Sequence, residues 1–112
     1  MKEGDVIILP MAQADARTKN RPAIVLREMP PFRDMLVCGV STQLHQAVPD
    51  FDETITPNDG DFKSSGLVSG SLIRLAFLLL VPRRKITGSV GSISSERHAR
   101  LLQKLADYLR AK

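Results

Sequence analysis

The chain has 112 residues, 43% of them hydrophobic and 25% charged, the composition of one soluble globular domain with a single modest core and not of a disordered chain. Its one cysteine, Cys38, excludes an intrachain disulfide and a four-cysteine zinc site, and it fits a reducing cytoplasm as a small buried hydrophobe. The net charge of +4 is unevenly spread: residues 50–61 hold five of the twelve acids and no Lys or Arg, leaving sixteen bases against seven acids elsewhere, a surface suited to a polyanion such as RNA.

The opening Met1-Lys2-Glu3-Gly4-Asp5 is not a signal peptide. The longest apolar run, Leu75 to Val81, is too short to span a membrane, so a soluble cytoplasmic protein is expected. Val6-Ile7-Ile8-Leu9-Pro10 is β-branched and stopped by proline, and reads as a first strand. Met11 to Asn20 reads as a mobile loop in which Asp15, Arg17 and Lys19 are free to meet a ligand. Arg21-Pro22 then leads into Ala23 to Arg27, a second strand. Proline disfavours the α region for the residue before it, so Arg21 is extended at the mouth of a buried strand. There its always-charged guanidinium either covers a strand end or receives an anion.

Met29-Pro30-Pro31 breaks the second strand and Arg33-Asp34 makes a turn. Met35 to Val40 is apolar on both faces and reads as a central strand. It ends in Ser41-Thr42-Gln43, whose side chains either satisfy their own turn or hydrogen-bond a phosphate. Asp50 to Thr56 reads as an acidic edge strand, Pro57-Asn58-Asp59-Gly60 as a turn, and Asp61 to Gly70 as a loop with room for one helical turn. Ser71 to Val81 is one long strand or two joined by a kink, helix being the competing assignment. Arg74 is its only charge and must either meet a carboxylate or point at something functional.

Arg83-Arg84-Lys85 is a basic turn, Ile86 to Ile93 a last short strand, and Ser94-Ser95-Glu96 an N-cap. The terminal helix carries Leu101, Leu102, Leu105 and Leu109 on one stripe, with Arg97, Arg100, Lys104 and Arg110 on a solvated face. Many short strands followed by one amphipathic helix point to a small antiparallel barrel closed by that helix, in a single domain over residues 1–112. Only five aromatics are present (Phe32, Phe51, Phe62, Phe77 and Tyr108), which argues against a base-stacking sheet and in favour of phosphate contacts.

The ordered set of pieces resembles the PemK/MazF-like toxins of toxin–antitoxin modules. It comprises Gly4-Asp5-Val6, Lys19-Asn20-Arg21-Pro22-Ala23-Ile24-Val25-Leu26, Val37 to Gln43, Gly66-Leu67 with Ser71-Leu72-Ile73-Arg74, and Ile86 to Ile93. The resemblance implies an SH3-like barrel, a homodimer, a small acidic-tailed antitoxin as partner, and a metal-independent, sequence-specific endoribonuclease of single-stranded RNA with no cofactor. It places Arg21 at the scissile phosphate, with Ser41 as the hydroxyl residue and Arg74 as the second arginine. Arg17, Lys19, Thr42 and Gln43 become candidate RNA contacts. One position departs from the pattern: some members carry an acid two residues after the second arginine, a proposed general base, and Ala76 stands there.

Cleavage without a metal would use the 2′-hydroxyl as an internal nucleophile, a proton acceptor, and cationic stabilisation of the phosphorane. Asp15, Glu3 and His45 are the candidate bases. The rival reading is a non-catalytic binding module of the same fold, gripping a protein target or binding RNA without cutting it.

Overall fold

The computed structural model describes residues 1–111. Six strands, β1 (Asp5–Ala12), β2 (Thr18–Met29), β3 (Asp34–Ser41), β4 (Glu53–Ile55), β5 (Ser71–Val81) and β6 (Gly88–Ser92), form one curled antiparallel sheet in the order β4-β5-β3-β2-β1-β6. A single-turn helix, α1 (Phe62–Ser65), precedes β5, and the C-terminal helix α2 (Ser95–Arg110) follows β6. The architecture is the expected mainly β one with a C-terminal helix, a half-barrel whose end strands β4 and β6 do not pair with each other.

Strand alternation sorts the apolar residues into two buried layers. Val6, Ile24 and Cys38 face α2 and meet its Leu101 and Leu105, whereas Ile7, Val25 and Val37 pack on the other face with Met35 and Val81. Fully burying each such side chain contributes about 1.5–3 kcal/mol. Burial pushes the Cys38 thiol up to about 12, which leaves it an inert core residue.

The strands run further than the sequence predicts at one end. The segment Met11 to Asn20 is mostly a β1–β2 hairpin, paired out to Ala12↔Thr18, with only a short tip between the strands. Pro10 does not stop β1 because its missing donor falls on an empty side. The Ile8 carbonyl accepts from Thr87 N at 2.8 Å, so two residues later Pro10 faces the same side, where β6 has already ended. On the other side, β4 is shorter than the expected acidic strand, and the helical turn allowed for in the 61–70 loop is α1.

Two close contacts join α1 to the β6 edge. Gly66 caps α1 at φ +76°, and a Cβ there would collide with the Val90 carbonyl; glycine alone suits both the conformation and the approach. Ser64 Oγ donates to the Ser92 carbonyl at 3.1 Å.

Helix α2 departs from the expected polar face. Arg97 is not solvated: its side chain is only 7% exposed. It donates to Asp61 through Nε (2.8 Å) and Nη2 (3.2 Å), and to Glu53 (2.9 Å) and the Thr54 carbonyl (3.1 Å) through Nη1. Arg100 and Lys104 also reach Glu53, each at 3.2 Å. Ser94 caps α2 by accepting from Arg97 N at 3.1 Å, as its N-cap signature predicts. Leu109, placed on the apolar stripe, is instead 71% exposed, at the edge of a groove between β5 and the end of α2.

Candidate functional site

The opening that the site occupies begins at Pro22. Beside β3, the pairing of β2 begins only at Ala23↔Gly39, so residues before Ala23 have no partner on that side. Past this point the β1–β2 hairpin separates from β3, while β3 continues against β5 to Ser41↔Leu72. The gap is a pocket of about 190 Å³. One wall is Met11, Ala12, Gln13 and Arg21 of the hairpin; the other is Gly39, Val40 and Ser41 of β3, with Arg74 and Phe77 of β5.

Arg21, Ser41 and Arg74 therefore come from three strands and line one pocket. Arg21 Nη2 donates to Gln13 Oε1 at 2.8 Å, which ties the guanidinium to the hairpin without neutralising it. Arg74 lies over the Phe77 ring, its Cζ 5.9 Å from the centroid, at the outer reach of a cation–π contact. Among the described residues, no carboxylate forms an ion pair with Arg21 or Arg74. Two half-buried guanidinium groups with no counter-charge in one cleft attract an anion.

Ser41 makes the turn contact expected of its segment. Its Oγ accepts from Gln43 N at 3.0 Å, so the turn is satisfied, yet a hydroxyl that accepts still has a proton to donate. Thr42 and Gln43 are exposed beyond it and do not line the pocket. Arg17 and Lys19 are also outside it, both exposed, Arg17 at 3.9 Å from Asp15 and Lys19 opposite Met11 on the hairpin.

The three candidate bases are elsewhere. Asp15 accepts from Arg17 N at the hairpin tip, and Glu3 is held by Arg27 (3.3 Å) and Glu28 N (3.1 Å). His45 is exposed in a short 3₁₀ turn, Leu44–Gln46. No Asp, Glu, His or Cys lines the pocket, and no cluster of three or more such residues able to hold a metal ion occurs among the described residues. Ala76 faces a different cavity, an apolar groove between β5 and the end of α2.

Three pocket features have no signal in the local sequence. Gln13 falls in what reads as a loop, and Gly39 and Phe77 fall in apolar runs. Phe77 is brought in by a large irregularity in β5: Cys38 pairs with Leu78, but the next residue, Gly39, pairs with Arg74. Leu75, Ala76 and Phe77 thus have no partner on β3 and form a three-residue bulge. The Leu75 N–H that the bulge leaves without a strand partner donates to Asp52 Oδ1 at 3.1 Å.

Residues 2–109 match the family model of the PemK-like, MazF-like toxins of type II toxin–antitoxin systems. Among solved structures, the chain is similar to the Mycobacterium tuberculosis toxin MazF-mt6, with a TM-score of 0.67 at 17% identity, over 96% of this chain and 98% of that one. No curated protein matches it by sequence. No helix among the described residues is long and apolar enough to cross a membrane.

Proposed function

Because this chain belongs to the PemK-like, MazF-like toxins of type II toxin–antitoxin systems, we propose that it is an endoribonuclease that cuts single-stranded RNA without a metal ion. The observation that carries this reading is the pair of arginines, Arg21 and Arg74, sharing a pocket with Ser41 and lacking any carboxylate. The substrate's own 2′-oxygen attacks the adjacent phosphorus, and the bond from phosphorus to the 5′-oxygen breaks. The products are a 2′,3′-cyclic phosphate and a new 5′-hydroxyl end.

Arg21 and Arg74 neutralise the charge that grows on the phosphorane, and the Ser41 hydroxyl donates to one of its oxygens. Held by Gln13 at 2.8 Å, Arg21 keeps its remaining donors for the phosphate. The pocket offers no carboxylate or imidazole, so the 2′-hydroxyl proton passes to water and the leaving 5′-oxygen takes one from water. Positioning and charge carry the rate. Arg17, Lys19, Thr42 and Gln43 guide the flanking backbone from the rim.

The absence of an acid or base from the lining favours one second reading, an RNA binder that does not cut. Primer extension on a defined transcript, incubated with purified protein and EDTA, separates the two. New 5′-hydroxyl ends establish the nuclease. A mobility shift without cleavage establishes the binder, and neither result refutes both.

The antitoxin expected of such a module would lay an acidic, extended segment over the same arginines and compete with RNA for them. The protein would act as a homodimer in the cytoplasm, and sedimentation of the purified chain tests the dimer. An antitoxin that binds without blocking RNA would contradict the shared site.

A further inference from the structure

We propose that Phe77 is a stacking platform for a nucleobase next to the phosphate held by Arg21 and Arg74. The site would then grip a nucleotide by its base face and its phosphate together. This rests on the RNA reading above and adds a second mode of recognition to it.

Phe77 is 39% exposed and belongs to neither buried apolar layer. It is also the only aromatic lining the arginine pocket. The bulge puts it there. With Leu75, Ala76 and Phe77 released from β3, the ring settles over Gly39, where a Cβ would lie 2.9 Å from Phe77 Cδ1. Any side chain at that position would have to push the ring aside. The pocket thus combines a flat apolar surface with two cations, and single-stranded nucleic acid offers the matching pair, a base face and a phosphate. Any base has a π-face, so this contact adds affinity for unpaired RNA without choosing a sequence. A base held in a duplex cannot make it.

The test uses fluorescence anisotropy with two uncleavable probes: a short 2′-O-methyl RNA of mixed sequence, and an abasic ribose-phosphate strand of the same length. F77A should weaken binding of the base-bearing probe by roughly tenfold and leave the abasic probe unchanged. F77W should bind the base-bearing probe at least as tightly as the parent. F77L keeps a large apolar side chain over Gly39 and should behave like F77A. If F77A weakens both probes equally, Phe77 serves only to hold Arg74 and the stacking proposal fails. If F77A binds like the parent, it also fails, while the RNA reading stands. A parent protein that binds neither probe overturns the RNA reading and this proposal with it.

Discussion

Arginine is used in two opposite ways in this fold. In the seam between α2 and β4, Arg97 is buried and saturated: Asp61, Glu53 and the Thr54 carbonyl all accept from it, and Asp59 lies 3.6 Å away. In the cleft between the β1–β2 hairpin and β3, Arg21 and Arg74 have only an amide and an aromatic ring for company. The acids of the chain are concentrated where they lock the helix, and none lines the cleft that holds Arg21 and Arg74. A guanidinium surrounded by carboxylates fixes structure, and one denied them is left with charge to use. The apparent excess of bases outside residues 50–61 is accordingly smaller than it looks, since Arg97, Arg100 and Lys104 are already spent on that segment.

The largest expected effect breaks the saturated side. Arg97→Ala leaves Asp61 and Glu53 buried beside a missing partner and should cost about 3–5 kcal/mol in urea unfolding. Any loss of RNA cleavage should follow the unfolded fraction and no more. On the unsaturated side, Arg21→Ala should slow cleavage by about 10²–10³ while stability stays within roughly 0.5 kcal/mol of the parent. Arg21→Lys should rescue only part of the rate, because a point charge does not reproduce the planar fork.

Acid separates the two regions further. Burial alone would push both carboxyls up, but Arg100 and Lys104 on Glu53, and Arg97 on Asp61, hold them below their ordinary values of 4.5 and 3.8. The unfolded chain therefore takes up protons first as pH falls. The stabilisation is complete above those ordinary values and is lost as pH drops through the lower, folded ones. Thermal unfolding followed across the acid range should show this loss, and Arg97→Ala should blunt it. The smallest effect should come from Arg100→Ala, since Arg100 is half exposed and Glu53 retains Arg97 and Lys104; unfolding should move by about 1 kcal/mol or less.

What could be read in the sequence follows from whether its cause is local. Arg21-Pro22, the hydroxyl residues ending β3 and the Ser94 cap are short-range signals, and each is found where its residues put it. Arg97 is not local: its carboxylates lie 36 and 44 residues away, so on the helix it resembles any solvated base. Phe77 depends on a register jump between two strands, which no pattern within β5 reveals. Gln13 depends on the hairpin continuing past Pro10, and that was possible only because β6 ends beside Ile8.

Whether Arg21 and Arg74 act on a single phosphate is tested most directly by a double-mutant cycle on cleavage. Single-turnover rates would be measured for the parent, R21A, R74A and R21A/R74A, each shown to be folded. If both arginines meet the same phosphorane, the double variant should be little slower than the worse single one, well short of the product of the two losses. Fully multiplicative losses, or a parental rate in R21A, would contradict it.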